Sequence, residues 1–223
     1  MPGEVAANKR PSLSLPLIVS TAIGLADEGG LDAVTMRGVG ERLHATGMAL
    51  YRHVANRDAL VELMVDAVAA EYAYPEPRPI GWRAALEAVA WQDWRSFFAH
   101  PWVLHATASS RPPMGPNTLA SMEWALASFD NLGLAGREQL FLLGTVVSYG
   151  QGLAMTWIHE RHDDTGEWWE SRVMDAGADR YPRLAAVTAA VGTDSRTRTW
   201  IDEEFEFGLQ RVLDGVGTYL ANR

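Results

Sequence analysis

The chain has 223 residues, of which 48% are hydrophobic and 21% are charged, so its composition supports a folded core and excludes a disordered protein. It contains no cysteine, which excludes disulfides and thiolate metal sites, and we expect a cytoplasmic protein without a signal peptide or membrane span. The net charge of −9 argues against nucleic-acid binding by the chain as a whole.

The N-terminal residues predict a flexible arm followed by a helix. Residues 1–12 are polar and contain two prolines, which is typical of an unstructured terminus. Apolar residues recur at helical spacing from Leu13, and the Gly29-Gly30 pair ends this first helix.

Two short helices and a longer one are predicted next. Thr35 and Thr46 are suitable N-caps for the two short helices, which a tight turn at His44 separates, and Asn56 caps the longer helix. Two short helices joined by such a turn can place the second one in the major groove of DNA. The same window, residues 35–57, holds four basic groups against one acidic group, which supplies the local positive charge that phosphates require.

The second short helix presents small or apolar side chains at its N-terminal end, which favours contact with thymine methyl groups. Arg37 is the candidate for a bidentate guanine contact. Arg57 opposes the helix dipole at the start of the longer helix, a cost that a nearby phosphate would offset. The residues predicted to contact DNA are Thr35, Arg37, Thr46, Gly47, Met48, Ala49, Tyr51, Arg52, His53 and Arg57.

The run from Thr35 to Met64 resembles the DNA-binding domain of the TetR family of transcriptional regulators. The Leu-Tyr-x-His-Val pattern of that family stands here at residues 50–54, and the Asn-Arg-Asp-x-Leu of residues 56–60 resembles the start of its fourth helix. The resemblance covers residues 13–72 and implies a dimeric, ligand-responsive DNA-binding regulator. His44 departs from it, because glycine usually occupies that turn, and a left-handed backbone there would carry strain.

A proline-rich segment, residues 74–81, separates this head from a larger body. We therefore predict an all-α protein in which a helix-turn-helix domain, residues 13–74, is joined by a connecting helix to a ligand-binding and dimerisation domain, residues 82–223. In the body, the pattern of apolar residues predicts helices over residues 82–100, 102–109, 117–132, 137–160 and 196–220. It also predicts one or two short helices within residues 168–192.

The body holds all nine tryptophans, and an aromatic cavity with a few polar groups is suited to flat or hydrophobic ligands. The alternative is that these rings only fill a core. The predicted ligand-binding residues are Trp91, Trp94, Phe98, Trp102, His105, Met122, Phe129, Tyr149 and Met155.

The helix over residues 137–160 is apolar on more than one face, which indicates burial against a partner subunit. Together with the last helix it predicts a four-helix bundle between two copies of the chain, as the family resemblance also implies. The predicted interface residues are Leu140, Gly144, Val147, Ser148, Gly152, Phe205, Leu209, Val212 and Val216.

The sequence offers no catalytic nucleophile–base arrangement and no phosphate loop, so we expect no enzyme, no cofactor and no metal site. The ligand-type residues of His159–Asp164 are expected to form a solvated loop. The function predicted is a sequence-specific regulator, a repressor released from a palindromic operator by a small hydrophobic or aromatic ligand. The alternatives are a helical protein-interaction module without DNA binding and a small-molecule enzyme.

Overall fold

The computed structural model describes residues 13–109, 111–159, 165–177, 179–191 and 197–223. Within these ranges the regular structure is helical and contains no strand, which confirms the all-α prediction. The predicted arm, residues 1–12, and the loop after residue 159 lie outside the described residues. The helices are α1 (Leu15–Gly29), α2 (Met36–Arg42), α3 (Gly47–Leu50), α4 (Arg57–Glu71), α5 (Trp82–Ala99), α6 (Pro101–Thr107), α7 (Pro116–Leu126), α8 (Gly136–His159), α9 (Thr165–Ala176), α10 (Pro182–Val191) and α11 (Arg198–Ala221).

The chain divides into two compact units. Unit 1 comprises the residues up to Glu71 together with His100–Leu119, and unit 2 comprises Tyr72–Ala99 and the residues from Ala120 onward. This division differs from the sequence boundaries, because the stretch from His100 to Leu119 groups with the head and not with the body. The chain therefore passes between the units three times.

Unit 1 is built on the packing of α1 against α4. Ile18, Ala22 and Ala26 follow one another at four-residue spacing on α1 and are buried, as are Leu60 and Met64 on α4. This spacing places each set on one helix face, so the two faces bury each other. Each large side chain buried in this way contributes roughly 1.5–3 kcal/mol of hydrophobic stabilisation.

Unit 2 is built on α5, α8 and α11, which pack against one another. The stripe of α11 that the sequence analysis assigned to a subunit interface lies largely in this core: Phe205 and Leu209 are fully buried, and Val216 is 3% exposed. Their place at a subunit interface stays a prediction, because an apolar stripe on a helix does not reveal whether its own chain or a partner covers it, and here the chain itself covers these three residues. Val212 is half-buried.

The proline-rich segment, residues 74–81, is not helical, as predicted, and it is held within unit 2. The Arg78 guanidinium lies 4.0 Å from the centre of the Trp124 ring, and it donates hydrogen bonds to the Trp124 carbonyl and to Ser128 Oγ. The ring of Tyr74 also packs on Trp124, with centroids 4.8 Å apart. These contacts attach the segment to α7 and to the turn that follows it.

Among the described helices, Gly136–Ile158 of α8 is long and apolar enough to cross a membrane, judged by length and composition alone. This differs from the expectation that no segment reaches that length. Only 22% of its most apolar window is buried within the chain. The core helix of a soluble protein passes the same test.

Candidate nucleic-acid interface

The two short helices of the head begin at the predicted caps. The Thr35 hydroxyl accepts a hydrogen bond from the Gly38 amide at 2.9 Å at the start of α2. The Thr46 hydroxyl accepts one from the Ala49 amide at 3.3 Å at the start of α3. Each cap satisfies an amide at a helix N-terminus that has no partner within the helix.

The turn between α2 and α3 is tight. His44 adopts φ 51°, the left-handed conformation that was predicted to be strained in a residue other than glycine. The Ala45 amide donates to the Gly40 carbonyl at 2.8 Å, and a Cβ added to Gly40 would lie 2.8 Å from the Ala45 carbonyl oxygen. Gly40 weakens α2 as a helix, but it permits the close approach that orients α3.

The outer surface of α3 is exposed to solvent. Met48 is 74% exposed and Tyr51 is 52% exposed, whereas Leu50 is fully buried and anchors the helix in unit 1. Arg52 and His53 are also exposed just after α3. Gly47 and Ala49 are half-buried, so the side chains that project farthest belong to Met48, Tyr51, Arg52 and His53.

Two exposed arginines of α2 form ion pairs. Arg37 Nε lies 2.7 Å from Glu41 Oε1, one helical turn away, and both side chains are well exposed. Arg42 forms a two-bonded pair with Glu28 of α1. Surface pairs of this kind contribute little to stability, so the Arg37 guanidinium can exchange Glu41 for another acceptor.

Arg57 does not face solvent as a phosphate ligand would. Its Nε donates to the Val34 carbonyl at 2.8 Å and its Nη2 to the Leu31 carbonyl at 2.6 Å. The half-buried guanidinium therefore ties the start of α4 to the connection between α1 and α2. These contacts give Arg57 a structural role, and the carbonyls offset the unfavourable position of a cation at a helix N-terminus, while the phosphate contact stays a prediction.

Asp27 of α1 holds α6 in unit 1. Its Oδ1 accepts a hydrogen bond from Trp102 Nε1 at 2.8 Å and lies 2.8 Å from His100 Nδ1. His100 Nε2 lies 3.7 Å from Glu71 Oε2 at the end of α4. Trp102, predicted as a ligand-binding residue, is 1% exposed and serves instead as an anchor in unit 1. His105, predicted with it, is exposed and also belongs to unit 1.

Asp66 of α4 caps α7. Its carboxylate, 9% exposed, accepts hydrogen bonds from the Asn117 amide at 2.8 Å, the Thr118 amide at 3.0 Å and the Asn117 side chain at 2.9 Å. Backbone amides at a helix N-terminus stabilise a carboxylate by hydrogen bonding and through the helix dipole. Sequence reasoning missed both Asp27 and Asp66, although an acidic residue on a helix face that is otherwise apolar was a usable signal.

Four aromatic residues of unit 2 cluster around Phe205. The ring of Trp94 stacks on Phe205 with centroids 4.2 Å apart, and Trp91 meets Phe205 edge-on at 4.9 Å. Phe98 lies 4.7 Å from Trp94, and Tyr149 lies 5.9 Å from Phe205. The four predicted residues Trp91, Trp94, Phe98 and Tyr149 are therefore brought together.

Three acidic residues of α11 accept hydrogen bonds from indoles in unit 2. Trp94 Nε1 donates to Asp202 at 2.7 Å and Trp91 Nε1 donates to Glu206 at 2.9 Å. Trp157 Nε1 donates to Glu204 at 3.0 Å. These pairs satisfy the polar edge of each indole while its rings pack on apolar neighbours.

The Tyr149 hydroxyl donates to the backbone carbonyls of Glu204 and Phe205 across the approach of α8 to α11. Burial, together with the nearby charges of Glu204 and Glu206, raises the pKa of Tyr149 to about 12. A Cβ added to Gly208 would overlap with the Tyr149 hydroxyl group. Gly208 therefore permits the close packing of the two helices.

The remaining predicted ligand residues of unit 2 differ in exposure. Phe129 is 1% exposed and Trp94 fully buried, so both fill the core. Met122, Trp91, Phe98 and Tyr149 are half-buried, and Met155 is 37% exposed.

Among the described residues, no group of three or more histidine, aspartate and glutamate side chains has the arrangement of a metal site.

A half-buried acidic residue of α5, Asp93, contacts the proline-rich segment. The Tyr74 hydroxyl donates to Asp93 Oδ1 at 3.1 Å. Burial raises the pKa of Asp93 to about 7, although the hydrogen bond from Tyr74 acts in the opposite direction. Burial and the neighbouring Asp93 also raise the pKa of Tyr74 well above its usual value.

One face of α8 in unit 2 is apolar and exposed. Leu140 is 54% exposed and Phe141 is 66% exposed, and the small residues Gly144, Ser148 and Gly152 continue this face. Val147 is half-buried. On α11, Phe207 is 67% exposed and lies on the side opposite the buried stripe. We call the exposed residues Leu140, Phe141, Gly144, Ser148, Gly152 and Phe207 the outer face.

Two family descriptions match the chain. "Bacterial regulatory proteins, tetR family" matches residues 18–64, and "Tetracyclin repressor-like, C-terminal domain" matches residues 74–220. The first match contains α2, α3 and most of α4, and the second contains the aromatic cluster and the outer face.

Curated proteins and solved structures give the same result. The chain is 32% identical to the HTH-type transcriptional repressor DrrR1 of Streptomyces coeruleorubidus, over 96% of this chain and 81% of that protein. It is also 32% identical to an HTH-type transcriptional regulator of Saccharopolyspora erythraea, over 96% and 88%. The crystal structure of ActR from Streptomyces coelicolor in complex with actinorhodin aligns with a TM-score of 0.76 at 26% identity, covering 93% of this chain and 98% of that one.

Proposed function

The chain belongs to the TetR family of bacterial transcriptional regulators, and from that premise we propose that it is a dimeric repressor that leaves a palindromic operator when a small hydrophobic or aromatic molecule binds. Its relatives are DNA-binding regulators of transcription and not enzymes, so neither the enzyme nor the interaction module left open by the sequence is favoured. We also propose that it acts in the cytoplasm, where its operator would be.

The observation that carries the DNA-binding part of this proposal is the exposed surface of α3. Met48 and Tyr51 project into solvent while Leu50 anchors the same helix in unit 1. A helix held in this way can enter the major groove without unfolding. Arg52 and His53 lie beside it as donors to phosphate oxygens, and Arg37 becomes available when it leaves Glu41.

The outer face supports the dimer. Leu140 and Phe141 on α8 and Phe207 on α11 leave large apolar surfaces in water, and the small residues that continue the face of α8 allow close helix approach. A second copy related by two-fold symmetry would cover the patch with the same patch, forming a four-helix bundle of α8 and α11 from each chain. The apolar character of α8 is then explained by a partner subunit and not by a membrane.

The aromatic cluster supports the effector site. Trp91, Phe98, Met122 and Tyr149 are half-buried in unit 2 and keep apolar surface that a flat molecule could contact. Of the residues predicted from the sequence, we retain these four together with Met155 as candidates. ActR, which is similar to this chain, has been crystallised with actinorhodin.

Regulation requires that ligand binding in unit 2 alters unit 1. Unit 1 contains α3 and also residues 100–119, which Asp27 and Asp66 hold to α1 and α4. We propose that α4, α6 and the start of α7 transmit the change, because the chain passes between the units at Glu71, Ala99 and Leu119. The ligand must prefer the conformation whose two heads are wrongly spaced for DNA, and that preference sets the extent of release.

Fluorescence anisotropy with labelled duplexes tests operator binding. We expect the full-length protein to bind a palindrome from the DNA upstream of its own gene, with an affinity that falls steeply as salt rises. Inserting five base pairs between the half-sites should abolish tight binding, because it turns one half-site to the opposite side of the duplex. Absence of salt-sensitive binding to every upstream palindrome would contradict the proposal.

Tryptophan fluorescence tests the effector site, because eight of the nine tryptophans belong to unit 2 and one, Trp102, belongs to unit 1. Actinorhodin is a suitable first probe, and we expect it both to quench the fluorescence and to release the labelled operator at matching concentrations. Quenching without release would contradict the regulatory part of the proposal and leave DNA binding intact.

A further inference from the structure

We propose that Met48 reads the 5-methyl group of a thymine in each operator half-site, so that operator recognition by this chain depends on that methyl group. The inference rests on the proposed function, since it requires that α3 enters the major groove. It adds the chemical identity of the group that the exposed end of α3 recognises.

The first step is the exposure of Met48. Its side chain is 74% exposed at the second position of α3, the largest exposed fraction of any methionine, tyrosine or leucine described in unit 1. An apolar side chain so placed gains free energy only when a partner covers it. Methionine is unbranched and polarisable, so it adapts to a surface that it meets at the base of a groove.

The second step is that the neighbouring side chains at this end of α3 have little to offer a base edge. The Thr46 hydroxyl already accepts the hydrogen bond of the Ala49 amide. Gly47 has no side chain, and Ala49 is half-buried with only a methyl group. Apart from the one hydrogen that the Thr46 hydroxyl can still donate, the contact that the N-terminal turn offers is therefore the apolar side chain of Met48.

The third step is that the nearby arginines lie elsewhere. Arg37 lies on α2 and not on α3, whether or not it leaves Glu41, and Arg57 bonds to backbone carbonyls inside unit 1. Arg52 lies two residues beyond the last residue of α3, at the opposite end of the helix from Thr46. Thymine carries the one apolar group that a base presents in the major groove, and this group matches the Met48 side chain.

The test begins with the full-length wild-type protein and a random duplex library, from which its operator is selected. Each thymine of a half-site is then replaced by deoxyuridine, which keeps base pairing and lacks the methyl group. At one thymine position we expect the affinity to fall by about fourfold when a single half-site is substituted, because one methyl group is lost from the buried contact. Substituting both half-sites should weaken binding by roughly tenfold or more.

Variants of Met48 assign the effect to this residue. M48A should bind the thymine and deoxyuridine duplexes equally. M48Q should shift the preferred base at that position towards adenine, because a glutamine side chain matches the donor and acceptor of that base. Met174→Ala is the matched control, since Met174 is a 67% exposed methionine on α9 in unit 2, and this variant should discriminate as the wild type does.

Two results would overturn the inference while leaving DNA binding intact. In the first, the wild type binds its operator but no deoxyuridine substitution changes the affinity. In the second, M48A retains the full discrimination of the wild type. Failure to select any operator, with no salt-sensitive binding, would instead contradict the proposed function itself.

Discussion

The carboxylate of Asp66 occupies the space that a side chain at Gly115 would need. A Cβ added at position 115 would overlap with that carboxylate, and Gly115 itself is buried. The missing side chain thus lets α4 cap the N-terminus of α7 within unit 1. A nearly buried carboxylate that loses its hydrogen bonds is costly, because its charge remains without compensation.

Gly115→Ala should therefore destabilise the protein by about 1–3 kcal/mol, through displacement of Asp66 from the amides that it accepts from. Chemical denaturation of the purified protein measures this change. Gly24→Ala is the control, since position 24 lies within α1 of the same unit with no neighbouring atom within 4 Å. That change should be neutral or stabilising by up to about 1 kcal/mol. Equal stability of the two variants would contradict the role given to Asp66.

Arg57→Gln and Arg52→Gln should weaken operator binding in different ways. Arg57 bonds to the Leu31 and Val34 carbonyls, so its loss should lower stability and affinity while the slope of log affinity against log salt stays unchanged. Arg52 is exposed beside α3, and its loss should reduce that slope by about one without affecting stability. Anisotropy titrations at several salt concentrations measure both slopes. A reduced slope for the Arg57 variant would instead indicate that Arg57 contacts a phosphate.

Phe141→Asp should convert the protein from a dimer to a monomer. Phe141 is 66% exposed on the outer face, where a charge would be buried without a partner if two copies met there. Sedimentation velocity measures the mass of each species. Ile80→Asp is the control, because Ile80 is 99% exposed in the segment before α5, and this variant should remain dimeric. A dimeric Phe141 variant would place the subunit contact elsewhere.

Asp93→Asn should remove a pH dependence of stability. Burial raises the pKa of Asp93 to about 7 from 3.8, so the folded protein binds a proton that the unfolded chain releases as the pH rises above about 4. The wild type should therefore lose stability between about pH 4 and pH 7, whereas the asparagine of the variant stays neutral and can still accept from Tyr74. Urea denaturation measures the free energy of unfolding of both proteins at pH 5 and at pH 8. Between these pH values the stability of the variant relative to the wild type should rise by roughly 1–3 kcal/mol. Parallel pH profiles for the two proteins would contradict this account.

Trp102→Phe should weaken the response to effector more than it weakens DNA binding. The change removes the indole N–H that Asp27 accepts and keeps an aromatic ring in the buried site. Operator affinity should stay within about threefold of the wild type, because α2 and α3 are untouched, whereas more effector should be needed for release. Trp91→Phe is the comparison in unit 2, where tryptophan quenching should change together with release. Unaltered release from the Trp102 variant would argue against transmission through α6.

The head could be predicted in detail because its determinants are local. The caps at Thr35 and Thr46 act on amides three residues away, and the turn at His44 is fixed by its immediate neighbours. The helix bounds of the body were also close to those expected, since proline and glycine interrupt the pattern of apolar residues.

What the sequence could not reveal was the direction of side chains in space. Arg57 is placed correctly at the start of α4, but its acceptors lie 23 and 26 residues earlier in the chain. Phe205 belongs to a stripe that suits either a core or an interface, and only the packing of α5 and α8 decides between them. Trp102 looked like its aromatic neighbours, although it bonds to Asp27, 75 residues away.

Unit 1 is assembled from two separate stretches of the chain, and this has a consequence for building chimeric regulators. A head transplanted by cutting at the proline-rich segment would leave His100, Trp102 and Asn117 behind. In the chimera, the carboxylates of Asp27 and Asp66 would then lack these hydrogen-bond partners, on surfaces that residues 100–119 cover in this protein. A graft that carries residues 100–119 as a second insert, or that replaces both aspartates, would respect the way this head is closed.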